Sequence, residues 1–184
     1  MWKWLGGCLI VVVVLIIVGF LWAYQTMQSS LSPDGSARIT VAATPARVFA
    51  SLTHGDSVPT WMAQGNTVTP SRHGPLQPGD TLRVQMRATP GIPSQQMIWH
   101  VKEVVPDRLI VLRLVADTSQ MIVGMRRDSL VAMGDSTMLV STLVSGASGK
   151  PDGLLGLGSD LMLSMLRMQS KLDLDRLKAR IEQR

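Results

Sequence analysis

Three turn signals cut the middle of this chain into short pieces: QPGD at residues 77–80, VPDR at 105–108 and GDS at 134–136. Gly supplies positive φ, Pro a fixed φ, and Asp a side chain that bonds its own backbone. Between them, TLRVQMRA (residues 81–88) alternates, with Leu82, Val84 and Met86 on one side and Arg83, Gln85 and Arg87 on the other. QQMIWHVKEVV (95–105) places Met97, Trp99 and Val101 on one face. LIVLRLV (109–115), QMIVGMRRDSLVAM (120–133) and TMLVSTLVS (137–145) follow, with a bulge expected at Gly124. Period-two alternation is the mark of strands. Strands joined by turns this short pair with their neighbours antiparallel, because a parallel pair needs a long crossover.

Upstream, RITVAA (38–43) reads as a strand, with Ile39 and Val41 on one face. Thr44 followed by Pro45 is a helix start: a capping residue, then a ring that pre-sets the helical φ. His54-Gly55 ends that helix, SVPTWMA (57–63) forms a second short turn or helix, and NTVTPSR (66–72) is a further strand. A long helix over residues 154–182 closes the chain. The order is strand, two short helices, about six strands and one long helix, an α+β arrangement in which the last helix covers the face a meander must bury.

Ahead of this domain lies LGGCLIVVVVLIIVGFLWA, residues 5–23, without a charge. At ~1.5 Å per residue it spans about 28 Å, close to the hydrocarbon thickness of a bilayer. Trp2 and Trp4 flank one end, Trp22 and Tyr24 the other, as an aromatic belt does. The run is longer than a signal-peptide core, and WAYQTMQ offers no small-x-small cleavage site. Residues 1–24 are therefore expected to be an uncleaved transmembrane anchor in contact with the lipid bilayer through residues 5–23, residues 25–36 a polar tether, and residues 37–184 the folded domain. Lys3 and the terminal amine favour a cytoplasmic N-terminus, which puts the domain outside the cytoplasm on a single-pass inner (cytoplasmic) membrane protein.

Charge and motif narrow the chemistry. The net charge is +5 with no run of five or six like charges, so no nucleic-acid partner is expected. Cys8, the single cysteine, lies in the apolar run, which excludes an intrachain disulfide and a cysteine metal site. His54, His73 and His100 make no metal spacing, and neither a metal nor another cofactor is expected. There is no G-x-S-x-G elbow, and the Gly-rich stretch at 146–158 has Lys150 but no phosphate-loop spacing, so it reads as a flexible loop. Asp56, Asp80, Asp107, Asp135 and Asp152 sit in turns. Glu103 and Asp128 fall in strands, where they are expected to pair with Arg on the outer face; facing a cavity, either could act as general acid or base.

The final helix carries Leu161, Met165, Met168 and Leu172 at i, i+4, i+7 and i+11, one face of a helix. Leu174, Leu177 and Ile181 lie about half a turn away, so the burial face is expected to rotate along the helix. The chain has 12 methionines, side chains that either fill gaps in a core or mould a surface to varied apolar shapes.

The ordered set ITVAATPARVFASLTH, VPTWM, LQPGDTLRV, WHVKEVVPDRLIVLR, DSLVAMGDSTML and LDLDRLKARIE resembles the START-like helix-grip fold, the SRPBCC superfamily that includes polyketide cyclase and dehydrase relatives. The likeness covers residues 38–183. It implies a curved antiparallel sheet of about seven strands gripping the long C-terminal helix. Members commonly keep a hydrophobic cavity between the two and bind lipids, sterols or polyketides; a minority are enzymes. Fold alone does not give function. The resemblance implies binding of a hydrophobic or lipid-like small molecule rather than an enzyme; the anchor, read from residues 5–23 and a departure from the usual soluble members, makes the expected protein a membrane-anchored binder. Its ligand site is expected to be lined by Trp61, Met86, Met97, Trp99, Met125, Met138, Leu161 and Met165, with no catalytic residue. The alternatives are a cyclase- or hydratase-like enzyme using a cavity acid, and a membrane-tethered protein-interaction module with a filled core.

Overall fold

The computed structural model describes residues 36–62, 67–86, 95–116, 122–145 and 154–183, together with Leu15, Val18 and Gly19. The chain order is β1 (Ala37–Val41), α1 (Pro45–Thr53), α2 (Val58–Trp61), β2 (Thr67–Pro70), β3 (Thr81–Met86), β4 (Gln95–Val105), β5 (Leu109–Ala116), β6 (Ile122–Met133), β7 (Ser136–Ser145) and α3 (Leu154–Glu182). The seven strands form one sheet in the order β1-β7-β6-β5-β4-β3-β2. Every neighbouring pair is antiparallel. The fold is α+β, a curled sheet with a C-terminal helix.

The turn residues act as their chemistry requires. Gly79, Asp107 and Gly134 all have positive φ, at 98°, 59° and 63°. In the turn before β3, Asp80 accepts a bond from the Gln77 N–H at 2.8 Å. Two bulges bend the sheet, one between Val101 and Glu103 on β4, the other where Leu114 faces Gly124 and Val115 faces Ile122. A Cβ on Gly124 would stand 3.0 Å from the Val144 carbonyl oxygen, so the strand packs closely there.

Pro45 opens α1 as expected, and Thr44 serves through its carbonyl, which accepts from the Val48 N–H at 3.1 Å, rather than through its side chain. Val48 and Leu52 face inward from α1, Val58 and Trp61 from α2. The core continues through Val41, Leu82, Val101, Leu112, Leu114 and Leu139 on the sheet and Leu174, Leu177 and Ile181 on α3. The C-terminal end of α3 is tied to the start of the domain. Arg47 Nη2 donates to the Ile181 carbonyl at 2.8 Å, and the Ala42 N–H donates to Glu182 Oε1 at 3.0 Å.

The expected stripe on α3 needs correction. Leu172 is 41% exposed, while Ser170 and Asp173 are buried beside Leu174 and Leu177. The buried face of this half therefore runs through Leu166, Ser170, Asp173, Leu174, Leu177 and Ile181, again an i, i+4, i+7 series but one phase away from the methionine stripe. The expected anchor at residues 5–23 and tether at 25–36 lie outside the described residues, apart from Leu15, Val18 and Gly19, which are helical, and Ser36. Among the described residues no helix is long and apolar enough to cross a membrane.

Candidate functional site

Inward-facing positions on β6 are the even ones: Gly124, Arg126, Asp128 and Leu130 are buried, while Met125 and Arg127 are exposed. That phase carries two charges into the interior. Arg126 is 1% exposed and Asp128 0%. Being two apart on one strand, they share a face. The Arg126 Nε reaches both carboxylate oxygens of Asp128, at 3.0 and 2.9 Å. Asp128 is thus not the outer-face residue expected from the sequence. An ion pair can leave the surface when its partners neutralise each other at short range.

A third charge comes from the helix. Asp173, 3% exposed, sits on the buried face of α3 with Oδ2 3.6 Å from Arg126 Nη1. Its other oxygen accepts from Gln169 Nε2 at 3.1 Å, one turn earlier. Burial pushes the Asp173 carboxyl up to about 7, against the pull of Arg126, Gln169 and Arg176. For Arg126, burial favours loss of the proton, but Asp128 and Asp173 outweigh it and hold the guanidinium above its ordinary value. From α2, the Trp61 ring closes over the guanidinium, with the Arg126 carbon 5.7 Å from the ring centroid. Trp61 is itself fixed by its Nε1–H, which donates to the Ser51 carbonyl at 3.2 Å. Three elements, α2, β6 and α3, thus meet around one buried cation, with α1 holding the Trp61 ring in place.

The cluster is incompletely bonded. Arg126 Nη2 and Ser141 Oγ are buried and have no hydrogen-bond partner among the described residues. Ser141 faces Asp128 directly across the β6–β7 ladder. Ser170 is already engaged, donating to the Leu166 carbonyl at 3.0 Å. Buried donors are rarely left open in a filled core, since each costs its desolvation.

The eight expected lining residues divide. Trp61 and Trp99 are buried in the core, and Met97 packs against it. Met125 and Met138 are corrections. Met125 is 37% exposed and stands opposite Val144, an exposed residue, while Met138 alternates with the buried Thr137 and Leu139 and faces Thr40 and Val131 on the outer side. The side chains of Met86, Leu161 and Met165 lie outside what is described. Glu103, the other strand acid, is exposed beside the β4 bulge.

Arg126, Asp173, Gln169 and Ser141 were not legible as a group from the sequence. One signal was present: an Arg-x-Asp pair on one strand face together with an acid inside the leucine face of the last helix. Outside the interior, His54 and His73 both approach Asp56, whose carboxyl is held below its usual range chiefly by the His73 hydrogen bond. All three are well exposed and pin the turn after α1. Among the described residues no group of three ligands could hold a metal ion.

Comparison with known proteins fits this architecture. The fold is similar to that of the KanY protein (ms6282), with a TM-score of 0.59 and 14% identity over 80% of this chain and 96% of that one. It is similar to protein Ms6760 from Mycobacterium smegmatis, with a TM-score of 0.57 and 12% identity over 80% and 90%. It is also similar to SA2116 from Staphylococcus aureus, a protein of unknown function, with a TM-score of 0.56 and 12% identity over 80% and 93%. At these identities the likeness shows the fold alone. A sequence search of curated proteins gave no match. Residues 33–182 match the family model described as polyketide cyclase / dehydrase and lipid transport. With nearly the whole domain matched, the chain belongs to that family.

Proposed function

We propose that this chain is a membrane-anchored binding protein that holds a hydrophobic or lipid-like small molecule between its sheet and its C-terminal helix, on the extracytoplasmic side of the inner membrane. The observation that carries the reading is that two hydrogen-bonding groups on one buried face of β6 and β7, Arg126 Nη2 and Ser141 Oγ, are open. Membership of a family that includes lipid transport supports the ligand class. The uncharged run at residues 5–23 with its flanking tryptophans supports the anchor, and Lys3 the orientation. Trp61, Met97 and Trp99 remain the proposed apolar lining; Met86, Leu161 and Met165 stay in the proposal on the sequence alone.

The test is native mass spectrometry of the full chain purified in mild detergent, with solvent extraction of what it carries. One apolar molecule per chain is expected. Absence of any such molecule, together with no uptake of fluorescent fatty-acyl or sterol probes, would sink the proposal. An alkaline-phosphatase fusion at the C-terminus should be active; an inactive one reverses the orientation.

A second reading, a cyclase- or hydratase-like enzyme, is favoured by one observation. Asp173 titrates near neutrality inside the fold, the range in which a carboxyl exchanges protons at working pH. The acid would then be Asp173. Glu103 is exposed, and Asp128 is already held by Arg126 on both oxygens.

A further inference from the structure

We propose that the interior is built to take the uncharged oxygen of an amphiphile, a hydroxyl or ester carbonyl, between Arg126 Nη2 and Ser141 Oγ. This deepens the binding reading above and rests on it.

The geometry comes first. Asp128 faces Ser141 across the ladder and Arg126 faces Leu143, so Arg126 and Ser141 are diagonal neighbours on the same buried face. Diagonal pairs lie about 7–8 Å apart, within reach of a long side chain. The guanidinium has five N–H donors in a fixed fork. Its Nε is committed to Asp128, its Nη1 side is turned to Asp173, and one face is covered by Trp61. What remains is Nη2, with Ser141 Oγ a second open group on the same buried face; the Nε groups of Arg113 on β5 and Arg167 on α3 are also buried without a partner among the described residues. Arg126 Nη2 can donate to an incoming oxygen, and a serine hydroxyl can donate or accept.

Charge then selects the chemistry. A cationic guanidinium invites a carboxylate, but this one is already matched. Asp128 neutralises it through a short two-oxygen contact, and Asp173 adds a second carboxyl 3.6 Å away. A ligand carboxylate at Nη2 would be a third acid around Arg126. A neutral oxygen needs only the donors and incurs no such cost. A pure hydrocarbon would leave both groups open, as they stand now.

The experiment uses the full chain in nanodiscs containing, at equal mole fraction, diazirine-bearing alkyl probes of one chain length ending in an alcohol, a methyl ester or a carboxylate, at pH 8. Adducts on the domain are mapped by mass spectrometry. Alcohol and ester should label the interior about five- to tenfold more than the carboxylate, roughly the value of one hydrogen-bonded group. Ser141→Ala removes an unbonded hydroxyl, so its unfolding midpoint should match that of the unaltered chain while alcohol labelling falls about three- to tenfold. Arg126→Lys, which keeps the charge but loses the fork, should fall at least as far.

Carboxylate labelling equal to or above that of the alcohol would overturn the proposal. So would Ser141→Ala labelling unchanged, the result expected if ordered water fills the two sites. If no probe of any class labels the interior, the binding function itself fails, a separate outcome from a failure of head-group selection.

Discussion

Replacing Asp173 with asparagine removes one titration from the interior and leaves the shape almost unchanged. In the unfolded chain this carboxyl titrates near ~3.9. In the fold, burial holds it at about 7. Between those values the folded state binds one proton more than the unfolded state. Its contribution to stability is therefore complete below pH ~4 and is lost as pH rises, by about 1.4 kcal/mol per unit, until the folded carboxyl has itself ionised. Over about three units the loss is on the order of 4 kcal/mol, and from pH 5 to pH 8 it is about 3 kcal/mol. The substituted amide would still accept through its oxygen from Gln169 Nε2, which now bonds the aspartate at 3.1 Å, and would never ionise. Asp173→Asn should thus gain about 3 kcal/mol relative to the parent chain on going from pH 5 to pH 8. Urea melts of both full chains in one detergent, followed by circular dichroism across that range, read the difference directly. Parallel pH profiles would refute the reasoning. So would a variant that loses ground as pH rises, because Asp173 would then act as an ionised partner of Arg126 that holds the helix to the sheet.

Other substitutions probe separate links. Arg126→Met alone should cost about 3–5 kcal/mol, since it leaves Asp128 buried without its cation, whereas Arg126→Met with Asp128→Leu should recover much of that loss; equal costs would contradict the paired-charge account. Leu177, fully buried on α3, should lose about 2–5 kcal/mol when replaced by alanine, measured by denaturant midpoint. Gly55→Ala should be severely destabilising, because its Cβ would fall 2.1 Å from the Arg72 carbonyl oxygen; a normal melting temperature would show that the turn can move aside. Met125→Ala should change stability and probe labelling little, within about 0.5 kcal/mol, as an outer-face change does.

The sheet was readable because its punctuation is local. Gly79, Asp107 and Gly134 take positive φ at the turns their letters mark, the alternation of Leu82 and Val84 on β3 has one apolar phase only, and Trp99 and Val101 mark the inward phase of β4 ahead of its bulge. β6 and β7 were harder for a physical reason. Their odd and even positions both contain apolar residues, so periodicity alone cannot say which set faces in. On β6 the odd set, with Met125, Val131 and Met133, is the more hydrophobic, yet it faces out. The even set wins because Arg126 and Asp128 satisfy each other and meet Asp173 from a helix more than forty residues downstream. A scale that treats every charge as solvated cannot anticipate a pairing made between a strand and a distant helix. The same contact sets the phase of α3, where Ser170 and Asp173 enter the buried face and Leu172 is turned out.

The reading of this protein as a container for an apolar molecule meets its most direct test in tryptophan quenching. With Trp2, Trp4 and Trp22 replaced by phenylalanine, Trp61 and Trp99 are the remaining tryptophans, and both are buried in the domain interior. The account predicts that an alkyl alcohol brominated along its chain, added to the nanodisc-embedded full chain, quenches this emission saturably, and that an unbrominated alcohol in excess restores it. Emission that stays unquenched, while the unaltered chain is quenched through its N-terminal tryptophans, would place the lipid at the anchor alone and contradict the account.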